Sequence, residues 1–207
     1  MEICNNEILT MIFAFFGVII FGYLCGSIPF GLLVSKFAKN VDIRQYGSHN
    51  IGSTNVTRVL GKKWGALALL LDGLKAVIPL LLAKHLFGDC EYTLSLVMLA
   101  TVLGHIFPVW LHFKGGKGIA CILFSLFVIN WILGLIFLLT WIVTFLLYKI
   151  SALSALVAMI VTTAMSIFFS NIYFVLLLVL SILTFYKHIE NIKRLLNGDE
   201  LGFKKND

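Results

Sequence analysis

The sequence predicts an all-α fold, a polytopic membrane bundle of about seven transmembrane helices that forms a single domain over residues 1–207. Hydrophobic residues make up 60% of the chain, and its mean hydropathy is +1.00. A soluble domain has an apolar share of only about one half. The apolar residues also form long segments, and a helix that crosses a bilayer needs about 20 of them in succession. These observations exclude an ordinary soluble fold.

Seven apolar segments follow one another along the chain. The fourth is too short to cross a bilayer unaided, so we expect it to lie within the bundle. Asn130 alone separates the fourth segment from the fifth. No internal repeat is evident, which argues against a transporter built from repeated halves. The segments cover residues 9–37, 65–87, 92–111, 117–129, 131–148, 152–169 and 172–194.

The basic residues indicate how this bundle is oriented. An odd number of spans places the two termini on opposite sides of the membrane. With the N-terminus outside and the C-terminus in the cytoplasm, fourteen of the sixteen Lys and Arg residues lie on the inner side, and only Lys75 and Lys84 do not. Membrane proteins show this bias. We therefore interpret the net charge of +6 as basic cytoplasmic loops, and we expect no nucleic-acid partner.

A polar stretch over residues 39–64, between the first two apolar segments, is the most informative part of the chain. It contains three Gly, three Asn, two Ser, two Thr, and both Arg44 and Arg58. A connecting loop needs only a few residues. Small polar residues together with Arg provide backbone N–H groups and fixed positive charge, which suit a phosphate. The stretch predicts an anion-binding loop at one face of the membrane.

A second polar cluster, over residues 104–118, joins the third and fourth segments. Gly115, Gly116 and Gly118 leave the backbone uncovered beside Lys117, and a helix is expected to begin directly afterwards. Glycine-rich backbone and a Lys at a helix N-terminus are typical of a phosphate site. It is not a P-loop, because GxxxxGK followed by Ser or Thr is absent. A tight turn with lysines that extend to the membrane surface is the alternative.

Two further clusters fall on the same predicted face. His188 and Asn191 share one face of the helix that ends the last segment. Ser151 and Ser154 begin the sixth segment, where serine is more often a packing residue. Inside the second segment, Asp72 lies three residues before a lysine, and we favour a pair that stabilises the bundle over a proton relay. The four cysteines include no Cys-x-x-Cys pair, so neither a redox nor a zinc role is expected.

Together these clusters resemble the acyl-phosphate-dependent glycerol-3-phosphate acyltransferases of bacterial membranes, the PlsY family. The resemblance covers nearly the whole chain in the order of its motifs, their spacing and the seven-segment layout. The two long motifs are specific enough that their joint occurrence by chance is not expected. The sequences that carry the resemblance are GSIPFG (26–31), DIRQYGSHNIGSTNVTR (42–58), GHIFPVWLHFKGGKG (104–118) and HIENIKRLLNGDE (188–200).

Three residues depart from the family pattern. His49 occupies a position where the family usually has Gly, Ser53 one where it usually has Ala, and Ile189 one where it usually has Arg. Glycine adopts positive φ at little cost, so His49 is expected to require a different backbone conformation. Ile189 removes a charge next to His188, and neighbouring basic residues are expected to replace that charge in part.

The resemblance implies a reaction in which a fatty acyl group passes from acyl phosphate to the sn-1 hydroxyl of glycerol 3-phosphate, giving lysophosphatidate and phosphate. It also implies a protein of the bacterial inner membrane, with its site at the cytoplasmic face and with no cofactor or metal. An acyl phosphate is already activated, so no acyl-enzyme nucleophile is required. The oligomeric state is left open, and a monomer is compatible with the sequence.

The family match and the residue types together predict the site. Arg58 and Lys117 are expected to bind phosphate. His188 is expected either to act as a base on the attacking hydroxyl or only to position a phosphate that takes the proton itself. The predicted catalytic residues are Ser48, Lys117, His188 and Asn191. The predicted substrate-binding residues are Ser48, Asn50, Asn55, Arg58, Gly115, Gly116, Lys117, Gly118 and, with weaker support, Ser154.

Two other function classes use similar residues. A transporter for a phosphorylated solute would also need basic loops and intramembrane charges, but its substrate groups should lie near the membrane midplane. A phospholipid head-group transferase would carry closely spaced Asp residues with a metal, whereas Asp42, Asp72 and Asp89 are far apart here. The gathering of polar groups at one predicted face favours the acyltransferase.

Overall fold

The described residues fold only into helices, which confirms the all-α prediction. The structure is a computed structural model that describes residues 2–202, with side chains from Glu7 onward. No strand occurs among these residues. Lys204 and Lys205, which entered the count of basic residues, lie outside them. The α-helices are α1 Glu2–Ser27, α2 Phe30–Lys39, α3 Ser53–Leu60, α4 Lys62–Phe87, α5 Glu91–Ile106, α6 Ile119–Ile129, α7 Trp131–Tyr148, α8 Ser151–Ser166, α9 Asn171–Lys187 and α10 Ile189–Asn197, with 3-10 helices at Ile43–Gln45 and Val109–Leu111.

Four helical stretches in the described chain are long and apolar enough to cross a membrane, and α9 with α10 forms a bent fifth. α6 and α8 are apolar but have only 11 and 16 residues. At 1.5 Å per residue, α6 extends about 16 Å, roughly half of a bilayer core. The membrane helix bundle is therefore confirmed, whereas the count of seven spans and the orientation stay predictions. The four unbent stretches are Glu7–Lys39, Lys62–Phe87, Glu91–Leu111 and Trp131–Tyr148.

Polar residues set the boundaries of the later helices. Asn130 Oδ1 accepts hydrogen bonds from the amides of Ile132 and Leu133 at 3.1 Å each. It therefore ends α6 and begins α7, as the sequence indicates. The prediction of one continuous segment over 172–194 is wrong, because the helix breaks at His188 and α10 leaves α9 at 61°. α10 has a polar and an apolar side, and such a helix is suited to the membrane surface.

α1 and α5 pack closely against each other near their C-terminal ends, beside the cavity described below. A Cβ atom at Gly26 on α1 would lie 2.0 Å from the carbonyl oxygen of Thr101 on α5. One at Gly104 on α5 would lie 2.2 Å from the carbonyl oxygen of Tyr23 on α1. Glycine at both positions lets the two backbones touch, which is common between membrane helices. α1 and α5 are thereby held at a fixed distance where both helices end.

Two apolar cores support the bundle. The larger lies among α4 to α9 and includes Leu80, Met98 and Leu126, none of which is exposed. The smaller core lies beneath the polar stretch over residues 39–64. Its buried residues are Leu32, Val34, Ile43, Ile51, Val56 and Ala68. The predicted anion-binding loop is therefore a packed structure that contains α3, and its polar side chains are held in place by the core below.

Candidate active site

The polar clusters predicted from the sequence meet in one cavity of about 210 Å³. The cavity lies where the segment before α3, α3 itself, the loop before α6 and the break between α9 and α10 come together. Part of its wall is polar and part is apolar, which suits a ligand with a charged head and a hydrocarbon tail. The polar wall includes Ser48, Asn50, Ser53, Thr54, Asn55, Arg58, Asp72, His105, Lys117, Ser151, His188, Asn191 and Glu200. The apolar wall includes Leu69, Ile119, Leu123, Phe137, Leu138, Trp141, Ala152 and Ala155.

Asn55 folds the segment that carries Ser48 and Asn50. Its Oδ1 accepts a hydrogen bond from the Ser48 amide at 2.8 Å. Its Nδ2 donates to three backbone carbonyls, including that of Asn50 at 2.9 Å. The side chain is almost completely buried, and both of its polar atoms are engaged within the protein. These contacts shape the segment so that Ser48 and Asn50 reach the cavity wall; Asn55 lines the cavity too, and its predicted role in substrate binding stays a prediction.

The three departures from the family pattern differ in their distance from the cavity. His49 adopts positive φ, +56°, the conformation that glycine would take easily, and its Nδ1 lies 3.0 Å from the Arg44 carbonyl oxygen. The expected change of backbone conformation is therefore not needed, although a side chain in this region is strained. Ser53 lines the cavity. Ile189 is 41% exposed and lies outside the wall.

The glycine loop before α6 lies directly on the last turn of α5. The Gly116 amide donates to the His105 carbonyl oxygen at 3.0 Å, and the Gly115 amide donates to the Ile106 carbonyl oxygen at 3.1 Å. Neither glycine lines the cavity, whereas Lys117 and Gly118 do. Both amides are therefore already used within the protein, and binding of phosphate by the backbone of 115–118 stays a prediction. These glycines allow the close approach that places Lys117 at the cavity.

A chain of contacts joins basic residues from three elements through Glu200. Lys117 Nζ donates to Asn191 Oδ1. Asn191 Nδ2 donates to Glu200 Oε1 at 2.6 Å, and Arg194 Nε donates to Glu200 Oε2 at 2.9 Å. Arg58 donates to the carbonyl oxygen of the next residue after Glu200 at 3.2 Å. The structure thus brings together three of the predicted residues, and it adds a carboxylate between them.

Burial makes this cluster electrostatically unusual. Desolvation is the main cause that lowers the pKa of Lys117 to about 8. Glu200 opposes that shift, whereas Arg194 and Arg58 add to it. Desolvation also lowers the pKa of Arg58. Because one carboxylate stands among several cations, the polar end of the cavity carries excess positive charge, and an anionic ligand would relieve the repulsion.

His188 lies at the break between α9 and α10, is 2% exposed and lines the cavity. Its Nδ1 is 2.8 Å from the carbonyl oxygen of Thr184. A carbonyl oxygen only accepts, so Nδ1 carries the proton in the neutral ring and Nε2 keeps its lone pair. The ring orientation is thereby fixed by the preceding helical turn. A base on a reacting hydroxyl needs such a nitrogen.

The two serines at the start of α8 differ in their surroundings. Ser154, predicted as a weaker site residue, is fully buried, and its Oγ donates to the Ile150 carbonyl oxygen at 2.8 Å. It lies outside the cavity wall. Ser151 lines the cavity instead, with its Oγ 3.1 Å from Thr54 Oγ1. In this structure Ser154 packs within its helix, and Ser151 is the hydroxyl at the cavity.

Sequence reasoning missed three charged or titratable groups in the cavity wall. Glu200 is the last residue of the fourth motif, and that place beside several basic residues was the available signal. Asp72 and His105 line the wall as well, although from the sequence a structural pair was favoured for Asp72 over a proton relay. Among the described side chains, no group of three or more His, Cys, Asp or Glu is placed to hold a metal ion.

Comparison with known proteins identifies the family. The family profile described as glycerol-3-phosphate acyltransferase matches residues 16–198. The chain belongs to this family. The resemblance drawn from the motifs is thereby confirmed. One relative of that name, from Pelagibacter ubique (strain HTCC1062), is 46% identical over 182 residues, which cover 88% of this chain and 94% of the relative. Another, from Thermotoga petrophila, is 43% identical, with 87% and 92% covered.

Two solved structures of the family have the same fold. Both are of PlsY, an integral membrane glycerol 3-phosphate acyltransferase. Its glycerol 3-phosphate form matches with a TM-score of 0.87 and 41% sequence identity, and the matched region covers 92% of this chain and 96% of the PlsY chain. Its lysophosphatidic acid form has a TM-score of 0.85 and 40% identity, with 92% and 95% covered. The membrane bundle of this acyltransferase family therefore extends over nearly all of the present chain.

Proposed function

We propose that this protein transfers a fatty acyl group from acyl phosphate to the sn-1 hydroxyl of glycerol 3-phosphate, and that it releases lysophosphatidate and phosphate. One observation carries the proposal. A single cavity is lined both by the cations of Arg58 and Lys117 and by apolar side chains of α6, α7 and α8. The acceptor and the donor each bring a phosphate, and the donor also brings a hydrocarbon chain. The related PlsY structures in glycerol 3-phosphate and lysophosphatidic acid forms support the same substrates.

The phosphate of glycerol 3-phosphate and the phosphate of the acyl donor bind to the cationic side chains of the cavity. Lys117 and Arg58 provide charge, and Ser48 provides a hydroxyl. Hydrogen bonds between charged partners are the strong ones, and Arg binds phosphate with two parallel N–H groups. Asn191 joins the Lys117 ammonium to the Glu200 carboxylate, so it fixes the direction of the lysine side chain. The site binds glycerol 3-phosphate with its C1 hydroxyl towards the acyl donor.

The chemistry is a direct acyl transfer. The C1 hydroxyl oxygen of glycerol 3-phosphate attacks the carbonyl carbon of acyl phosphate, and a new C–O ester bond forms. The C–O bond to the phosphate breaks, and inorganic phosphate leaves with the electron pair. The hydroxyl proton passes either to Nε2 of His188 or to the departing phosphate. Cationic side chains stabilise the charge that grows on the phosphate as it leaves.

The apolar wall accommodates the acyl chain. Leu123 of α6, Phe137 and Trp141 of α7, and Ala155 of α8 face the same cavity. The Trp141 ring stacks on Phe145 at 5.0 Å, which holds the indole in place. Since these helices belong to the membrane bundle, the acyl chain of the donor enters the cavity from the lipid phase, between the helices. The carbonyl carbon then lies at the junction of the apolar and polar walls.

The protein is proposed to lie in the bacterial inner membrane with this site at the cytoplasmic face. Cysteine labelling tests the orientation. Native Cys90 is exposed at the opposite end of α4 from the site. In a background without the other cysteines, a membrane-impermeant reagent should reach Cys90 in intact cells. With Cys90 removed as well, Lys62→Cys should be labelled only after the cells are opened. Labelling of Lys62→Cys in intact cells would reverse the orientation.

A donor comparison tests the reaction itself. Purified protein in detergent or vesicles is given glycerol 3-phosphate with either palmitoyl phosphate or palmitoyl-CoA, and lysophosphatidate and phosphate are measured. We expect both products with palmitoyl phosphate, no lysophosphatidate with palmitoyl-CoA, and no effect of EDTA. Lys117→Ala should be impaired, while Lys114→Ala, an exposed lysine in the same loop, serves as the matched control. Full activity on palmitoyl-CoA alone would refute the proposed donor.

A further inference from the structure

A buried charged cluster borders the cavity, and two of its members line the wall, but none of them is among the residues proposed above to bind or transfer the acyl group. Asp72 and Lys75 on α4 and His105 on α5 are 2%, 3% and 4% exposed. Lys75 Nζ lies 2.7 Å from Asp72 Oδ1. Charged groups within a membrane bundle are costly to bury and are often functional. The mechanism above uses none of the three.

Lys75 is the centre of this cluster. Besides Asp72, its ammonium contacts the Ile28 carbonyl oxygen at 2.6 Å and His105 Nδ1 at 3.0 Å. An ammonium has N–H groups and no lone pair, so Lys75 donates to both of these atoms and His105 Nδ1 accepts, while its contact with Asp72 is an ion pair. The direct separation of Asp72 Oδ1 from His105 Nδ1 is 3.6 Å, too long for a hydrogen bond. The neutral His105 ring therefore carries its proton on Nε2.

The other side of the His105 ring lies against the glycine loop. A Cβ atom at Gly116 would be only 2.2 Å from His105 Nε2, and one at Gly115 would be 2.2 Å from the His105 carbonyl oxygen. The backbone of the loop thus rests on both the ring and the main chain of His105. Lys117 is the next residue. A shift of the His105 ring would therefore move the backbone at Gly116, and with it the position of the Lys117 side chain in the cavity.

The opposite end of the cluster reaches the segment that carries Ser48. The Ile28 carbonyl lies at the interruption between α1 and α2. Three residues later, Gly31 approaches the Ile51 carbonyl oxygen so closely that a Cβ atom would lie 1.7 Å from it. Ile51 belongs to the segment before α3. Lys75 therefore connects the support of the Ser48 segment with the support of the Lys117 loop.

We propose that Asp72, Lys75 and His105 form a positioning cluster that sets the separation of the Ser48 segment and the Lys117 loop, and so the spacing of the groups that hold the substrate phosphate. The inference rests on the proposed function, because it concerns the same site. These residues act through the two segments and not on the substrate. Misplacement of a substrate-holding group by about 1 Å from a change outside the reaction centre can lower rates by on the order of 10²-fold.

The test compares His105→Leu with His85→Leu, a control on α4 whose side chain is exposed. We expect His105→Leu to lower kcat/KM for glycerol 3-phosphate by between about tenfold and on the order of 10²-fold. Most of this loss should come from a higher KM. Burial lowers the pKa of Lys117 to about 8, so we expect native kcat/KM to fall as pH rises through 8; in His105→Leu we expect this alkaline limb to move towards the pKa of an exposed lysine, about 10.4. His105→Gln, which can accept from Lys75 and donate to the loop, should recover part of the activity. His85→Leu should be unchanged in each measurement.

A second variant separates positioning from stability. Asp72→Leu combined with Lys75→Met removes both charges together, and such replacements of buried pairs are often neutral or stabilising. We expect this double variant to keep its Tm and still lose tenfold or more of kcat/KM, within the order of 10²-fold given above. Native kcat/KM and an unmoved alkaline limb in a folded His105→Leu or double variant would overturn the inference. If the native protein forms no lysophosphatidate, the proposed function fails instead, and calorimetric binding of glycerol 3-phosphate to native and His105→Leu proteins still tests the positioning.

Discussion

Lys117 should give this protein an alkaline limit to its activity. The Nζ atom contacts Asn191 at the edge of the buried basic cluster, and burial lowers the pKa of Lys117 to about 8. A lysine with a lowered pKa is cationic below that value and neutral above it. The charge that binds phosphate is therefore present at pH 7 and lost as pH rises through 8. The pH dependence of kcat/KM reports the pKa values of groups in the free enzyme. We therefore expect kcat/KM to fall as the pH rises through 8.

The size of the fall follows from the contact that is lost. A hydrogen bond between charged partners contributes about 1.5–3 kcal/mol, which corresponds to roughly 10- to 150-fold in rate. With a pKa of about 8, roughly one lysine in a hundred remains protonated two pH units higher. We therefore expect kcat/KM to fall about five- to tenfold by pH 9 and about nine- to sixtyfold by pH 10. The phosphate of glycerol 3-phosphate has its second pKa near 6, so the acceptor stays a dianion throughout.

The assay measures initial rates of lysophosphatidate formation at limiting glycerol 3-phosphate between pH 7 and pH 10. Lys117→Arg is the decisive variant, because an arginine stays cationic over the whole range. Its activity at pH 7 should be reduced, since the two side chains differ in shape, but its alkaline limb should be absent. A limb near pH 8 that persists in Lys117→Arg would assign the titration to another group. A native profile that is flat to pH 10 would refute the reasoning.

Three other substitutions test the remaining parts of the site. His188→Gln should lower kcat by on the order of 10²- to 10⁴-fold, and more than it raises KM, if Nε2 takes the proton; near-native kcat would make the departing phosphate the acceptor. Glu200→Gln should move the alkaline limb below pH 8, because this carboxylate raises the pKa of Lys117, while the exposed Glu190→Gln should leave the limb in place. His49→Gly should be more stable than His49→Ala by about 1 kcal/mol, since only glycine relieves the strain at positive φ; equal melting temperatures would show that no strain is stored there.

The sequence predicted the fold class and most of the polar side chains that meet in the cavity, because each rests on local signals. Segment hydropathy predicted the helices, and a single polar residue, Asn130, correctly separated α6 from α7 through its capping bonds. The bend at His188 was not predicted. The polar residues of α10 were interpreted as the cytoplasmic end of one continuous helix, and composition alone does not indicate a change of direction. Length alone likewise cannot decide whether the 11-residue α6 spans a membrane.

The sequence indicates which residues lie at the cavity more readily than it indicates what each residue does there. Asn55 and Gly116 belong to the motifs and also have structural contacts: the first binds neighbouring carbonyls, and the second allows contact with His105. Substrate ligands and supporting residues share the same small polar types, so composition does not separate them. Glu200 was missed for a related reason. Its importance comes from three-dimensional proximity to Lys117, which lies far from it in sequence.

The convergence of the motifs has a physical cause in the membrane itself. Irregular backbone within a bilayer is tolerated only where protein covers it or where it lines a wet cavity. In this chain the segment before α3, the loop before α6, the break at His188 and the turn at Glu200 all border one cavity. Each break would be costly if it faced lipid alone. Each break instead has partners within the protein, such as the α5 carbonyl oxygens that accept from Gly115 and Gly116, and together the breaks leave a polar pocket at the helix ends where a charged head group and a hydrocarbon chain can meet.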